Sequence, residues 1–192
     1  MKLPQKFYHQ DTTALARNLL GKRLVRVYRG QRRSGIIVET EAYLGAADPA
    51  AHTWKGKRSA RNHSMFLPGG HVYVYLIYGM HFCFNVVAKQ ENEPEAVLIR
   101  AIEPEENIRL RGDGPGRLCR AMAITKALDG MPLFGETIFI EKTGIGYKKE
   151  DIGVSGRIGV EYSGEAAHWP LRFFVRGNSH LSRREKRTVS HL

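Results

Sequence analysis

The stretch GIIVETEAY, residues 35–43, combines an apolar pattern with two carboxylates and an aromatic ring. Successive side chains of a strand point to opposite faces, so this stretch predicts a β-strand with two unlike faces. One face carries Ile36, Val38, Thr40 and Ala42, and the other carries Ile37, Glu39, Glu41 and Tyr43. The first face is apolar or small and can cover a core, whereas the second presents two acids beside an aromatic ring.

Patterns on both sides of this strand predict an α+β fold with a mainly antiparallel sheet. Asp11 can cap a helix that runs to Leu20, with Gly21 as its C-terminal stop. A polar, turn-like segment at 29–34 joins the central strand to a strand at 23–28 as a hairpin. A second helix is predicted at 116–126, and further strands at 71–78, 82–88, 96–102, 137–141, 157–160 and 172–175. No repeat or linker divides residues 1–192, so we expect a single domain.

The charge of the chain indicates an anionic partner. Its 192 residues include 30 lysines and arginines against 19 aspartates and glutamates, a net charge of +11, and the pI is near 9.9. This excess is typical of proteins that bind nucleic acid, an anionic membrane surface or an acidic partner. A protein that binds a polyanion has little electrostatic reason to place carboxylates near its ligand, so an acid found there indicates chemistry. The basic residues 182–192 form either a solvated terminus or an arm that contacts nucleic acid.

Several functional classes find no support in the sequence. Cys83 and Cys119 have no CxxC spacing, and the eight histidines form no zinc-binding or zinc-deaminase pattern. No P-loop or dinucleotide-binding glycine pattern follows a strand. Residues 1–10 lack an apolar signal segment, and the longest apolar run, 72–88, is interrupted and short for a membrane span. We therefore expect no metal, no cofactor, no membrane association and a cytoplasmic location.

Residues 44–70 are predicted to form a long loop, and loops of this length in a compact domain are usually functional. Its basic residues Lys55, Lys57, Arg58 and Arg61 could neutralise successive phosphates. A merely solvated basic loop would account for the same residues. A lone histidine is usually a hydrogen-bonded structural group, and this is the simplest interpretation of His52 in the same loop.

Residues 73–85 predict a hairpin with an aromatic tip. Gly79-Met80 suits a two-residue type II′ turn, which would place Tyr78 and His81 at the tip and expose Met80. An aromatic ring at this position either wedges into a stack of bases or packs under another loop.

The same hairpin also offers aromatic side chains for a pocket. Tyr73 and Tyr75 share a strand face, and with Tyr43 they form either a pocket for a flat base or part of the core. A strict two-residue turn would place Tyr75 and Asn85 on opposite faces. If both line one pocket, the hairpin needs a bulge or a longer turn.

Nine short runs, in chain order, are spread over nearly the whole sequence. They are LLG (19–21), VETEAYLG (38–45), AAH (50–52), RN with MF (61–62 and 65–66), YVYLIYGM (73–80), FCFN (82–85), LIRAIEP (98–104), GPGRLC (114–119) and PLRFFVRG (170–177). Together they resemble the alkyladenine DNA glycosylase family, also called the 3-methyladenine DNA glycosylases. The resemblance implies one compact domain with a curved antiparallel sheet flanked by helices.

The resemblance also implies a reaction and its central residues. Glu41 matches the general base that activates water, and Glu39 is its non-catalytic neighbour. Arg100 matches a position that holds the acid and the phosphate of the flipped nucleotide. Tyr78 matches the side chain that is inserted into the gap left by the base. Water as nucleophile implies a monofunctional enzyme that hydrolyses the N-glycosidic bond of alkylated or deaminated purines and leaves an abasic site.

The base pocket follows from the same resemblance. Tyr43, His52 and Tyr75 match positions that stack against or hydrogen-bond the extruded base, and Asn85 matches one that excludes guanine by crowding its amino group. The implied partner is double-stranded DNA with damaged purines, and we expect a monomeric, nucleoid-associated bacterial enzyme. A non-catalytic nucleic-acid binding module would use the same charge and aromatic residues. A protein that binds acidic partners or membranes would explain the charge but not the ordered runs.

Overall fold

An antiparallel sheet of eight strands is the framework of the protein in the computed structural model, which describes residues 1–183. The strands are β1 (Arg23–Tyr28), β2 (Gln31–Tyr43), β3 (Val72–Ile77), β4 (His81–Val87), β5 (Ala96–Glu106), β6 (Ile138–Glu141), β7 (Ile152–Ser155) and β8 (Arg172–Val175). Two α-helices, α1 (Thr12–Leu19) and α2 (Pro115–Ala121), flank the sheet in this part of the chain. The predicted α+β fold is confirmed. The predicted basic tail lies outside the described residues from position 184 onward.

Strand β2 occupies the centre of the sheet. The order of the strands is β3-β4-β5-β2-β1-β6, and β8 pairs with both β2 and β7. The first half of β2 pairs with β1 and its second half with β8, while β5 follows its other edge. Glu41 consequently lies between Leu98 of β5 and Arg172 of β8. Both acids of the central strand are therefore enclosed by neighbouring strands.

The predicted alternation along β2 is wrong at one point, because the strand contains a bulge. Ile37 is opposite Ile102 and Glu39 is opposite Ala101, which leaves Val38 as an extra residue. Ile37 therefore packs in the main core, whereas Val38 packs with Phe174, the β8 partner of Glu39, on the other face. Ile37 does not share a face with Glu39, and Val38 does.

The hairpin of β3 and β4 has a longer turn than the predicted two residues. Ile77 is opposite His81, so the turn contains Tyr78, Gly79 and Met80. Tyr78 and Gly79 have φ values of 52° and 68°, and the Met80 N–H donates to the Ile77 carbonyl at 3.2 Å. The type II′ prediction is therefore wrong. The extra residue sets the register that places the pocket side chains of the two strands on one face.

Other elements differ from the prediction at their ends, and one differs in kind. Residues 157–160 form a loop rather than a strand, and the strand of this region is β7 instead. The turn between β1 and β2 has two residues, so β2 begins at Gln31. Helix α2 ends at Ala121, five residues early, and β5 continues to Glu106. The long loop at 44–70 contains three 3₁₀ turns, Gly45–Ala47, Trp54–Gly56 and His63–Phe66.

Helix α1 lies against the core face of β2. The Asp11 carboxylate accepts a hydrogen bond from the Ala14 N–H at 2.9 Å, which is the predicted N-terminal cap. Leu15 and Leu19 are fully buried in the main core, and the Thr40 hydroxyl donates to the Ala16 carbonyl at 2.9 Å. This bond joins α1 to β2, so the core side of the strand is covered and the opposite side is left for the site.

Candidate active site

A cavity of about 470 Å³ lies on the face of the sheet that carries the acids. Its walls come from strands β2 to β5, the long loop, the first turn of α2 and the loop after β7. The lining residues from the strands are Tyr43, Tyr73, Tyr75, Ile77, His81, Cys83, Asn85, Ala96, Leu98 and Arg100. The others are Ala50, His52, Arg61, Met65, Tyr78, Pro115, Gly116, Ile158, Gly159, Val160 and Tyr162. The cavity therefore brings together every predicted pocket residue: Tyr43, His52, Tyr75, Asn85 and Arg100.

Glu41 lies directly behind the wall of this cavity. Its side chain is fully buried, and its Oε1 accepts the backbone N–H of Ile158 at 2.8 Å. Its Oε2 accepts the Tyr43 hydroxyl at 3.0 Å and Arg100 Nη1 at 3.2 Å. All three donor residues line the cavity. A carboxylate has about four acceptor positions, so these bonds leave about one, on Oε1.

Glu39, the second acid, accepts four hydrogen bonds from its neighbours. Its Oε1 accepts Arg100 Nε at 3.0 Å, Arg172 Nε at 2.8 Å and the Ser182 hydroxyl at 2.7 Å. Its Oε2 accepts the Ser182 N–H at 2.6 Å. Burial acts to raise the pKa of Glu39, but the charges of Arg172 and Arg100 and the bonds from Ser182 outweigh it and lower the pKa. Glu39 therefore holds Arg100 in place, and Arg100 in turn reaches Glu41.

His52, Tyr73 and Tyr75 form an aromatic wall. The His52 ring lies 4.6 Å from the Tyr75 ring at 76°, and its Nδ1 is 2.8 Å from the Tyr73 hydroxyl. Burial, with a smaller effect of the Arg61 charge, lowers the pKa of His52 to about 4. Burial also raises the pKa of Tyr75 well above its ordinary value. At neutral pH this wall is consequently uncharged.

Tyr43 is fixed by a buried ion pair that the sequence did not reveal. Arg157 and Asp48 have fully buried side chains, and Arg157 Nη2 donates to Asp48 Oδ1 at 2.8 Å. The Arg157 guanidinium lies 4.7 Å from the centre of the Tyr43 ring. Because Arg157 covers one face of this ring, the other face is available to the cavity.

Asn85 lies on the same face as the tyrosines of β3. It is the direct cross-strand partner of Tyr73, and its Nδ2 donates to the Tyr73 carbonyl at 3.1 Å. Asn85 is buried and its amide is held by this bond. It therefore presents a fixed polar group to whatever fills the cavity.

Tyr78 stands at the tip of the β3–β4 hairpin, at the edge of the cavity. Its side chain is 83% exposed, and Met80 beside it is 70% exposed. The positive φ of Tyr78 is unusual for an aromatic residue. The structure thus places a large apolar ring in solvent rather than under another loop.

The four predicted phosphate contacts fall into two groups. Lys55, Lys57 and Arg58 are exposed on the long loop, outside the main cavity. Arg61 lines the cavity, with its guanidinium 5.7 Å from the centre of the Tyr75 ring. Of these four basic residues Arg61 thus lies at the cavity, while the other three face solvent.

The described part of the chain is residues 1–183. This part of the chain contains no group of three or more His, Cys, Asp or Glu residues that could hold a metal ion. None of its helices is long and apolar enough to cross a membrane.

Comparisons with known proteins indicate a single family. Residues 6–179 match the family described as Methylpurine-DNA glycosylase (MPG). A Bdellovibrio bacteriovorus protein named "Putative 3-methyladenine DNA glycosylase" is 48% identical, over 96% of this chain and 100% of the relative. Proteins with the same name from Bacillus cereus and Alkaliphilus oremlandii are 42% and 40% identical, each over 96% of this chain and 100% of the relative.

These matches define the class of the protein as a DNA glycosylase, a hydrolase of base excision repair. Within that class, the chain belongs to the methylpurine-DNA glycosylase family.

Proposed function

We propose that this protein flips a damaged purine out of duplex DNA and hydrolyses its N-glycosidic bond with a water molecule activated by Glu41. The observation that carries the proposal is a fully buried carboxylate with one unused acceptor position, set behind an aromatic cavity in a chain of net charge +11. The proposed substrates are alkylated purines such as 3-methyladenine and deaminated purines such as hypoxanthine. Base flipping costs a few kcal/mol and costs less for weakly paired lesions, which adds selectivity for damaged bases.

The geometry of Glu41 supports a role as general base. Its Oε2 is occupied by Tyr43 and Arg100, whereas Oε1 accepts only the Ile158 N–H. A water between Oε1 and the sugar of the flipped nucleotide can donate one proton to Oε1 and attack the anomeric carbon. The carboxylate charge also stabilises the oxocarbenium-like transition state, as in glycoside hydrolysis.

The cavity walls support recognition of a flat, poorly paired base. The free face of Tyr43 and the rings of His52 and Tyr75 provide stacking surfaces for a purine. The fixed amide of Asn85 would crowd the exocyclic amino group of guanine and so exclude it. Tyr78, exposed at the hairpin tip, would fill the space that the base leaves in the stack.

The proposed reaction has two requirements, a base that can leave and a nucleophile, and the nucleophile makes the enzyme monofunctional. A cationic alkylated base leaves readily, whereas hypoxanthine needs a proton on its ring. No lysine is among the residues that line the cavity in the described part of the chain. Water is therefore the proposed nucleophile, and the product is an abasic site. Borohydride trapping of a covalent adduct with DNA would contradict this step.

The decisive test is base release from duplexes that contain one hypoxanthine, ethenoadenine or 3-methyladenine, measured by alkaline cleavage. The Glu41→Gln variant should keep duplex binding and lose about 100- to 10,000-fold in the single-turnover rate, the usual contribution of a general base. Glu161→Gln is the matched control, because Glu161 is an exposed carboxylate beside the cavity residues Val160 and Tyr162. Near-normal release by Glu41→Gln would refute the assignment. Tight binding by the wild type without release of any base would favour a binding module instead.

We also propose that the enzyme acts as a monomer in the bacterial cytoplasm, associated with the nucleoid. The bacterial sources of the relatives and the basic charge of the chain support this location.

A further inference from the structure

One buried amide side chain ties together the part of the long loop that carries His52. Asn62 is only 3% exposed. Its Nδ2 donates to the carbonyls of His52 and Lys57, both at 2.9 Å, and its Oδ1 accepts the Ser59 N–H at 2.7 Å and the Ser59 hydroxyl at 3.1 Å. A side-chain amide offers two donors and two acceptor positions, so the hydrogen-bonding capacity of Asn62 is used entirely within this loop.

Residues 52–62, which we call the His52 segment, have little apolar packing to fix their shape. Residues 54–61 are all exposed, and hydrophobic stabilisation scales with the apolar area that is removed from water. The hydroxyl of Thr53 donates to the Pro94 carbonyl at 3.0 Å and tethers the start of the segment. Asn62 joins the far end back to this start across ten residues. The shape of the His52 segment therefore depends on the hydrogen bonds of Asn62.

His52 is held from two sides. On the cavity side, its Nδ1 lies 2.8 Å from the Tyr73 hydroxyl and its ring lies 4.6 Å from the Tyr75 ring. On the backbone side, its carbonyl accepts the hydrogen bond from Asn62. A side chain that contacts a ligand must stay within about 0.5 Å of its productive position, which requires support from the surrounding residues. The tyrosines orient the ring of His52, and Asn62 fixes the backbone from which this ring projects.

We propose that Asn62 is a positioning residue of the base pocket, which holds His52 against Tyr73 and Tyr75 and so sets the wall that a flipped purine meets. This role rests on the proposed function, because the wall receives a purine only if a base enters the cavity. Asn62 is not among the residues that line the cavity, whereas His52 is. The effect of Asn62 on a bound base is therefore expected to pass through His52.

The first experiment follows the His52 ring by NMR in the protein without DNA, with its signal identified by its absence in His52→Gln. Burial, with a smaller effect of the Arg61 charge, lowers the pKa of His52 to about 4. In Asn62→Ala the ring should leave the wall and gain solvent, so its pKa should rise toward the ordinary value of about 6.5. Ser59→Ala is the matched control, because it removes only the hydroxyl bond to Oδ1 and leaves both carbonyl bonds of Nδ2 in place. The control should leave the pKa of His52 unchanged.

The second experiment is a double-mutant cycle on the single-turnover release of hypoxanthine from a duplex. Misplacing a pocket group by about 1 Å can cost about 100-fold in rate, so Asn62→Ala should lose about 10- to 100-fold. The same change made in His52→Gln should lose less than about twofold, because its effect passes through the side chain that is already removed. Two independent sites would instead show the same fold-loss in both backgrounds. Ser59→Ala should release hypoxanthine at the wild-type rate.

An unchanged His52 titration in Asn62→Ala, an equal fold-loss in both backgrounds, or the same changes in Ser59→Ala would overturn the proposal. Circular dichroism checks that each variant folds. If Asn62→Ala does not, Asn62→Ser removes the same amide but keeps a polar group, and it takes the place of Asn62→Ala in both experiments. The NMR titration uses no DNA. A raised pKa of His52 in the Asn62 variant, together with no base release by the wild type, would therefore refute the proposed function alone.

Discussion

Replacing Glu39 by Gln should destabilise the fold more than the same change at Glu41, two residues along the strand. Glu39 is fully buried and compensates two guanidinium groups, with Arg100 Nε at 3.0 Å and Arg172 Nε at 2.8 Å. Glu41 compensates only Arg100, at 3.2 Å. Glu39→Gln therefore leaves Arg172 without its carboxylate, whereas Glu41→Gln leaves Arg100 paired with Glu39.

The size of the effect follows from the burial of the pair. Removing one partner of a buried ion pair costs about 3–5 kcal/mol, because the other charge stays buried without compensation. For a domain of this size each kcal/mol corresponds to about 2–4 °C, so the melting temperature of Glu39→Gln should fall by roughly 6–20 °C. Glu41→Gln should lose about half of this or less, since Arg100 keeps a carboxylate partner.

The pH dependence gives a second, independent check. The pKa of Glu39 is lowered in the folded protein, so its carboxylate stabilises the fold above the pKa of the unfolded chain. That contribution is lost as the pH falls through the lower, folded value. The gap in unfolding free energy between the wild type and Glu39→Gln should therefore be full at neutral pH and shrink below about pH 4.

Urea unfolding followed by circular dichroism, repeated at several pH values, measures both quantities. Equal losses of unfolding free energy in Glu39→Gln and Glu41→Gln would refute the reasoning from the ion pairs. A gap for Glu39→Gln that does not change with pH would show that the loss comes from packing and not from the charge.

Three further outcomes are expected. Tyr78→Ala should leave the unfolding free energy within about 0.5 kcal/mol, because the side chain is exposed, yet reduce the fluorescence signal of a flipped fluorescent lesion; Met80→Ala is its control. Asp48→Asn should cost about 3–5 kcal/mol by leaving Arg157 unpaired, and should weaken substrate binding, measured as KM. The pKa of His52 is lowered to about 4, so below about 6.5 the unfolded chain binds a proton that the folded protein does not. As the pH falls from about 6.5 to about 4, the unfolding free energy of the wild type should thus decrease more steeply than that of His52→Gln.

Elements with strong local signals were predictable from sequence. The Asp11 side chain caps the start of α1, and Gly21 follows its end. Both signals depend only on neighbouring residues. The run RFFV, residues 172–175, is β8 with the predicted ends. Strand β7 lacks such a signal because its second residue is Gly153. A Cβ there would lie 2.2 Å from the Phe174 ring, so tertiary packing against β8, and not local preference, creates this strand.

The candidate site was predictable to the extent that its residues carry recognisable chemistry. The resemblance supplied Tyr43, His52, Tyr75, Asn85 and Arg100, and the fold brings all of them to one cavity. The groups that hold the site side chains in place were not predicted, for different reasons. A backbone donor such as the Ile158 N–H leaves no trace in a sequence.

Arg172 did leave a signal. It is a single arginine at the start of an apolar strand, LRFFV, and it is buried. A buried arginine needs a carboxylate partner, and Glu39 on the neighbouring strand is the acid it contacts.

Paired irregularities in β2 and β5 explain how one arginine contacts two acids. Val38 is the extra residue of β2, and one step further along, Arg100 is the extra residue of β5, between the partners of Glu39 and Thr40. A residue outside the regular ladder can aim its side chain away from the usual direction. Arg100 can therefore direct Nε to Glu39 and Nη1 to Glu41. Glu39 accepts four hydrogen bonds and fixes Arg100, whereas Glu41 accepts three, so Glu41 is the acid that keeps the acceptor position which the proposed general base needs.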